Sequence, residues 1–214
     1  MPQPSDPVQG TAPKGAGRLK MMAVLLVCAA PVVASYLTYY VIKPESRQNF
    51  GELIIPPRAL PNVTGVDLNG TPVNLKTLKD QWLLVSVASA RCDEACVQQL
   101  YLQRQMRESL GREKDRLDWV WLISDDAPVA DPLRSALKGA TALRVPAGDI
   151  AAWLAPGQGH TLSEHLYLVD PLGNWMLRFP AGLDKVMAAK AKRDIERVLR
   201  AANSWDKAGR MPTP

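Results

Sequence analysis

An apolar segment near the N-terminus, Leu19 to Ile42, decides how the rest of the chain can be organised. It carries a single charge, Lys20, at its edge, and a helix over these residues would be about 36 Å long, enough to cross a bilayer core of about 30 Å. Its far end gathers Tyr36, Tyr39 and Tyr40, as an aromatic belt at a membrane interface would. A signal-peptide cleavage site after Ala34 is the alternative, but the apolar run continues past it. The segment therefore predicts one transmembrane helix that is kept as an anchor.

Basic residues flank this segment unequally. Lys14, Arg18 and Lys20 lie before it or at its start, whereas Lys43 and Arg47 follow it with an acidic residue between them. Because loops rich in lysine and arginine stay on the cytoplasmic side, this pattern places the N-terminus in the cytoplasm and everything after the segment outside it. In a Gram-negative bacterium that compartment is the periplasm, where disulfides form and persist.

Composition divides the chain on either side of this predicted helix. Residues 1–18 are rich in proline, glycine and small residues and predict a disordered cytoplasmic tail. Residues 43–61 contain four prolines and predict an extended linker. Periodic apolar residues fill 62–202, which we expect to be the folded domain, and 203–214 is expected to be a flexible tail.

Strand and helix signals alternate through the predicted domain. Asn69-Gly70 is a hairpin signal, Trp82–Ala88 and Leu117–Ile123 are apolar runs typical of buried parallel strands, and Glu94–Leu110 has helical periodicity. A short helix, a strand and a turn follow, before a closing hairpin centred on Gly173 and a long terminal helix. Strand–helix–strand units form parallel pairs through right-handed crossovers. The order predicts an α/β fold, a thioredoxin-like sandwich with a central mixed sheet, preceded by the single transmembrane helix.

Two cysteines stand at the turn between the first core strand and its helix. Cys92 and Cys96 would lie one helical turn apart on nearly the same face, at a separation that a disulfide accepts. A helix N-terminus lowers a thiol pKa, but Asp93 and Glu94 place negative charge beside the sulfurs. This favours a metal pair or a stable disulfide over a strongly oxidising dithiol. Cys28 lies apart, in the apolar segment, and is expected to be a small membrane-helix residue.

Histidine is the expected third ligand if the cysteines bind a metal. Thiolates suit Cu(I) or zinc, and Cu(I) tolerates two or three ligands. The chain has two histidines, His160 and His165. In the predicted topology His165 immediately precedes the last hairpin and packs against the cysteine pair, while His160 lies in a glycine-rich loop that could also reach the pair.

A family resemblance rests on several of these features together. They are the single N-terminal span, the lead-in from Leu68-Asn-Gly70 to Leu78, the strand Trp82–Ala88, the Cys-x-x-x-Cys motif at 92–96, and Tyr167-Leu-Val-Asp-Pro-Leu-Gly173. With these motifs, residues 62–200 resemble the Sco/SenC family, which are membrane-anchored thioredoxin-fold proteins of cytochrome c oxidase assembly.

The resemblance implies a function and a set of ligands. The family binds copper through two cysteines and a histidine, helps to deliver it to the CuA centre of the oxidase, and has been considered a thiol–disulfide reductant of that centre. It implies that Cys92 and Cys96 bind Cu(I), with His165, or alternatively His160, as the third ligand. The family's histidine position corresponds here to Leu162, which lies between the two. The implied partners are the oxidase subunit that holds the CuA centre or other oxidase assembly factors, together with membrane lipid.

Three hypotheses for the function follow. The first is a copper-handling assembly factor for a haem–copper oxidase, which is a metallochaperone rather than an enzyme. In the second, Cys92 and Cys96 are the catalytic redox pair of a thiol–disulfide oxidoreductase. The third is a non-catalytic, membrane-tethered interaction module that kept the fold. Hydrolase motifs and phosphate-binding glycine loops are lacking.

Two charged features are interpreted as structural. Residues 182–210 carry a net excess of basic residues, but without aromatic interleaving they favour a solvated helix face near a membrane surface rather than a nucleic-acid site. Asp125 and Asp126 follow the second core strand, at the edge of a sheet where sites often form. We interpret them as part of a solvated loop.

Overall fold

The structure is a computed structural model that describes residues 15–38, 40, 49–206 and 208–209. The chain separates into two compact units, Met1–Arg47 and Gln48–Pro214, which are described in turn. Residues 1–14, most of the predicted cytoplasmic tail, lie outside the described residues.

The first unit contains one long helix, α1 (Gly15–Leu37). Its segment Gly17–Leu37 has a mean hydropathy of 1.9 and is long and apolar enough to cross a membrane. The helix begins four residues before the predicted start at Leu19, and the last residues of the predicted span, 41 and 42, fall outside the described part. Pro31 lies within it without ending it, as neighbouring adjustments allow in membrane helices.

The second unit alternates strands and helices. Its elements are β1 (Glu52–Ala59), β2 (Thr64–Asp67), β3 (Pro72–Asn74), β4 (Trp82–Ala88), α2 (Glu94–Glu108), β5 (Leu117–Ile123), α3 (Asp131–Ala136), β6 (Thr141–Arg144), α4 (Ala147–Trp153), β7 (Leu166–Val169), β8 (Asn174–Arg178) and α5 (Lys185–Ala201). Short 3-10 turns connect some of them, among them Leu162–Glu164.

The strands form one mixed sheet of eight in the order β1-β8-β7-β4-β5-β6-β2-β3. Strands β4, β5 and β6 are parallel, whereas β7 runs antiparallel to β4 and forms a hairpin with β8. All seven residues of β4 are buried, because this strand lies in the middle of the sheet with layers on both faces. The turn after β4, which carries the cysteines, is thereby fixed at the centre of the sheet's carboxyl edge.

Helices cover the two faces. On one face, Leu84 of β4 packs with Leu102 of α2 and Ile195 of α5. On the other, Val85 packs with Trp153 of α4 and with Trp175. Alternate residues of the strand therefore enter opposite cores, as the two-residue period of a strand requires. The predicted α/β sandwich with a central mixed sheet is confirmed.

Strand β1 lies within the segment that was predicted to be an extended linker. It pairs antiparallel with β8, and the register shifts between Leu53 and Arg58, where Pro56 and Pro57 stand. Proline has no N–H to donate, so it is confined to edge strands and bulges. Because β1 is an edge strand, the pairing survives, and the folded unit begins before residue 62.

Part of the predicted flexible tail is instead held against the domain. Asp206 is buried, and its carboxylate accepts hydrogen bonds from the indole of Trp82 (2.7 Å) and the guanidinium of Arg116 (2.7 Å). These bonds hold the chain beyond α5 against the domain through residue 206. Residues 207 and 210–214 of the predicted tail lie outside the described part.

Candidate functional site

A tight turn delivers the first cysteine from β4 to α2. The backbone N–H of Cys92 donates to the Ser89 carbonyl (3.1 Å), and Cys92 has φ of 38°, a left-handed conformation that is uncommon for residues other than glycine. Asp93 is the N-cap of α2, and its Oδ1 accepts the N–H of Cys96 (2.9 Å). The cap places Cys96 in the first helical turn.

Cys92 and Cys96 form a disulfide in this structure. Their Cα atoms are 5.1 Å apart, within the range of about 4.4–6.8 Å that a disulfide spans. Cys92 is half-buried, whereas Cys96 is buried against the core. The structure thus brings together the two residues that were predicted as a pair. Cys28 is exposed on α1 and takes no part in a disulfide.

The disulfide lies in the wall of a cleft of about 660 Å³. The first turns of α2, the turn Thr161–Glu164 and the residues that precede α5 form its walls, which include Cys92, Cys96, Gln99, Thr161, Glu164 and Leu183. Neither predicted histidine ligand belongs to this lining. A partner that enters the cleft can therefore reach the sulfurs without displacing His160 or His165.

His165 is buried beside the cleft, at the start of β7. Its Nδ1 is 2.8 Å from the Phe179 carbonyl, and its Nε2 is 3.0 Å from the backbone nitrogen of Gly157. Since the carbonyl can only accept and the N–H can only donate, the ring must be neutral, with its proton on Nδ1. Burial lowers the pKa of His165 most, and the positive charge of Arg178 lowers it further. Both ring nitrogens are thus occupied by the main chain.

His160 is exposed, and its Nδ1 pairs with the Glu164 carboxylate. This hydrogen bond is the largest of the causes that lower the pKa of Glu164. The two imidazole rings stand edge to face with their centroids 5.6 Å apart. The loop from 157 to 165 therefore holds the histidines together and turns Glu164 toward the cleft.

The predicted copper ligands do not form a coordination set in this oxidised structure. Among residues 15–38, 40, 49–206 and 208–209, no three His, Cys, Asp or Glu side chains are grouped as metal ligands. The sulfurs are bonded to each other, and the His165 lone pair accepts a backbone N–H. Disulfide sulfurs are not thiolates, which are the form that binds metal. The ligand roles of His165 and His160 stay predictions.

Two side chains that sequence patterns did not single out as functional hold the site in place. Gln99, one turn after Cys96, donates from Nε2 to the His165 carbonyl (2.7 Å) and so ties α2 to the start of β7. Asp125 accepts the N–H of Ala90 (3.0 Å), and a hydrogen bond from Ser89 is the largest cause that lowers its pKa. The carboxylate that was interpreted as part of a solvated loop therefore fastens the turn before Cys92. Its position after a core strand was the only signal of this role.

Comparison with known proteins places this geometry in a family. The sequence model described as "Transmembrane-like, thioredoxin-like, C-terminal domain" matches residues 82–202, more than half of the chain. The matched segment runs from the first core strand, through the cysteine turn, to the residue after α5. No curated protein matches the sequence.

Solved structures give the same fold. Apo Sco1 from Thermus thermophilus superposes with a TM-score of 0.53 at 19% identity, covering 73% of this chain and 98% of its own. A SCO1/SenC family lipoprotein from Bacillus anthracis gives a TM-score of 0.50 at 16% identity, with coverage of 67% and 98%. A Bacteroides thetaiotaomicron protein, proposed to be a protein disulfide isomerase, gives 0.53 at 14%, with coverage of 72% and 95%. At these identities the likeness confirms the predicted Sco-like and thioredoxin-like fold and leaves the chemistry to the residues.

Proposed function

We propose that this chain, which belongs to the family of transmembrane-like proteins with a thioredoxin-like C-terminal domain, is a membrane-anchored thiol–disulfide exchange protein with Cys92 and Cys96 as its redox pair. The observation that carries the proposal is the position of the disulfide in the wall of an open cleft at the carboxyl edge of the sheet. A disulfide that only stabilised the fold would have no need of such access. We further propose that α1 anchors the domain outside the cytoplasm, in the periplasm of a Gram-negative cell, where such a pair persists.

The exposure of the two cysteines decides which sulfur a partner thiolate attacks first. Cys92 is half-buried and Cys96 is buried, so a partner thiolate attacks Cys92 Sγ, a mixed disulfide forms and Cys96 leaves as a thiolate. A second partner thiolate then attacks the partner's sulfur in the mixed disulfide and releases Cys92. The partner loses two electrons and becomes a disulfide, and the pair gains them and, with two protons, becomes a dithiol. The reverse sequence reduces a partner disulfide.

Asp93 favours a pair that reduces its partners over one that oxidises them. Its carboxylate caps the helix at Cys96, so it opposes the helix N-terminus, which alone would favour a thiolate. A less stable thiolate makes the reduced form less favoured, since strong dithiol oxidants are those whose reduced form is stabilised. The pair is therefore expected to donate electrons to partner disulfides more readily than a strongly oxidising dithiol does.

Redox equilibration of the full chain in detergent tests the proposal. The protein is held in buffers of graded dithiol and disulfide ratio, and free thiols are trapped with a maleimide that shifts its mobility. We expect a two-electron transition with a midpoint above about −300 mV, since structural disulfides generally fall below that value. Cys92→Ser and Cys96→Ser should abolish the transition, and Cys28→Ser is the matched control that should keep it. A midpoint well below that value would refute the proposal.

Copper handling for oxidase assembly is the second candidate function. The observation that favours it is the pair of neighbouring histidines, tied by the Gln99–His165 hydrogen bond to the helix that carries both cysteines. In the disulfide state the residues do not fit a copper ion. Reduction would supply two thiolates, which suit Cu(I), and a third ligand at Nε2 would require His165 to release the Gly157 N–H. The partners would then be the oxidase subunit with the CuA centre or other assembly factors.

Titration of the reduced full chain with Cu(I), in competition with a chromophoric chelator, tests this candidate. The expected result is about one Cu(I) per chain, lost in the Cys92→Ser, Cys96→Ser double variant. Separate His165→Ala and His160→Ala variants show which ring, if either, contributes to the affinity. If the wild type takes up no more Cu(I) than the double variant, copper handling is excluded and the thiol–disulfide proposal still stands.

A further inference from the structure

Helix α5 carries a continuous basic face. Lys190, Arg193, Arg197 and Arg200 are all exposed, and their spacing of three and four residues aligns them along one side of the helix. The stripe is about 15 Å long. The opposite side of α5 is buried in the core through residues such as Ala191 and Ile195. The basic face, defined by these four residues, lies away from that core, and its one ring contact among the described residues is between the ammonium of Lys190 and Phe50.

The acidic side chains beside this face are paired with other residues: Glu196 with Lys192 (2.7 Å) and Glu113 with Arg116. Among the residues that the structure describes, no acidic side chain forms an ion pair with Lys190, Arg193 or Arg200. Arg197 lies 3.4 Å from Asp194, but that carboxylate is buried and also accepts the backbone N–H of Gly51 (2.8 Å). Three positive charges are thus available to an anionic surface, which would meet the face without first breaking an ion pair.

Exposed apolar side chains stand at the two ends of the basic face. Trp205, just beyond α5, is 54% exposed, while the other five tryptophans of the chain are at most 4% exposed. Val186, in the first turn, is 65% exposed. Tryptophan is enriched at membrane–water interfaces, where its ring lies at the level of the headgroups. Basic side chains between an exposed tryptophan and an exposed valine suit a lipid surface better than a nucleic acid.

The chain enters the folded domain at this helix. Gly51 is hydrogen-bonded to Asp194 of α5, and the ammonium of Lys190 lies 5.7 Å from the centre of the Phe50 ring. Residues 43–48 connect this entry point to the end of the predicted membrane span at Ile42, and even a fully extended chain from Ile42 to Asn49 reaches only about 25 Å. With α1 in a bilayer, the length of this connection limits how far residue 49, where the chain enters the domain, can lie from the membrane surface.

We propose that the basic face of α5, together with Trp205, rests on the anionic headgroups of the bilayer that α1 enters. Each basic side chain near such a surface adds to the attraction, which falls off within a Debye length. Gly182 and Leu183, which line the cleft, immediately precede α5. Docking would therefore hold the disulfide cleft close to the membrane plane. This inference does not depend on the thiol–disulfide proposal.

Tryptophan quenching in vesicles tests the docking on the full chain. The protein is reconstituted into vesicles of phosphatidylcholine alone, or of phosphatidylcholine with phosphatidylglycerol, each containing a lipid with a spin label on its headgroup. Because the label quenches only over short range, Trp205 should report contact. We expect several-fold stronger quenching in the anionic vesicles, loss of that difference in about 1 M salt, where the Debye length is about 3 Å, and loss of the quenched component in Trp205→Phe.

Charge-reversal variants test whether the quenching in anionic vesicles depends on the basic face of α5. The variant Lys190→Glu, Arg193→Glu, Arg200→Glu should quench in anionic vesicles no more than the wild type does in neutral ones. Its matched control, Lys76→Glu, Lys79→Glu, Lys138→Glu, makes the same change of net charge at exposed positions outside α5 and should retain most of the quenching. Equal quenching of the wild type in both kinds of vesicle would overturn the proposal, and so would a control variant that loses as much as the α5 variant. Absence of quenching in anionic vesicles would also overturn it, and the basic face would then be expected to bind an acidic protein partner. The wild-type comparison needs no variant to fold.

Discussion

Truncating Asp206 to alanine should destabilise the domain strongly, although the residue lies beyond the last helix. Its Oδ2 accepts hydrogen bonds from Trp82 Nε1 at 2.7 Å and from Arg116 Nε and Nη2 at 3.1 and 2.7 Å. The Asp206 side chain is 1% exposed and that of Arg116 is 7% exposed. Asp206→Ala therefore leaves a buried guanidinium and a buried indole N–H without their shared acceptor.

The expected loss in the free energy of unfolding depends on the hydrogen bonds that Arg116 keeps. Breaking a buried ion pair by removing one partner costs about 3–5 kcal/mol. Arg116 still donates to the Leu199 carbonyl (2.9 Å) and pairs with Glu113, so we expect the lower end, about 3 kcal/mol. For a folded unit of this size each kcal/mol lowers the melting temperature by about 2–4 °C, which gives a fall of about 6–12 °C.

Thermal unfolding of the oxidised full chain in detergent, followed by near-ultraviolet circular dichroism, measures this fall. The matched control is Asp206→Ala combined with Arg116→Met. Because removing both members of a buried pair leaves no uncompensated charge, the double variant should lose less stability than Asp206→Ala alone. A fall below about 2 °C for Asp206→Ala, or a double variant that is less stable than the single one, would refute the reasoning.

Three further predictions concern the cysteine turn, the buried histidine and strand β2. Asp93→Asn keeps a helix cap and removes a charge worth about 1 kcal/mol at contact distance in water, so the reduced pair should hold about fivefold more thiolate at neutral pH; an unchanged rate of alkylation would contradict this. His165 is neutral in the fold, and burial lowers its pKa from the ordinary 6.5. The unfolded chain therefore takes up a proton first as the pH falls. Its contribution to stability should be complete above about pH 6.5 and decline below it, and urea unfolding of His165→Gln should lack this decline. A Cβ at Gly65 would lie 2.8 Å from the Arg144 carbonyl oxygen, so Gly65→Ala should cost about 1–3 kcal/mol, whereas Gly148→Ala, which meets open space, should cost little in the same unfolding experiment.

The central fold could be predicted because its signals are local. Strands β4 and β5 begin and end where the apolar runs Trp82–Ala88 and Leu117–Ile123 do, since a strand buried on both faces needs an apolar residue at nearly every position. The cysteine spacing predicted a metal pair or a disulfide for a similar reason, because one helical turn fixes the distance between Cα atoms, and the structure has the disulfide. Strand β1 was missed since Pro56 and Pro57 are poor strand residues, and only pairing with distant β8 reveals that β1 is an edge.

The environment of the histidines could not be predicted from the sequence in the same way. His165 is held by the Gly157 N–H and the Phe179 carbonyl, which are backbone atoms and leave no side-chain signature. The partners of Asp206 lie 90 and 124 residues away, so no local pattern marks it as buried. Residue types therefore marked the cysteine turn as the candidate site, while the hydrogen bonds of its neighbours depended on contacts that only the fold creates.

Thiol trapping in living cells tests most directly whether Cys92 and Cys96 are an exchanging pair. Cells that produce the Cys28→Ser chain are quenched with acid, and free thiols are then labelled so that the reduced and oxidised forms separate by mobility. The proposed function predicts that both forms are populated and that their ratio shifts when cells are treated with a reductant or an oxidant. A pair that is found only as the disulfide, under mild reductant as well as without it, would show that the bond is structural and would contradict the proposed function.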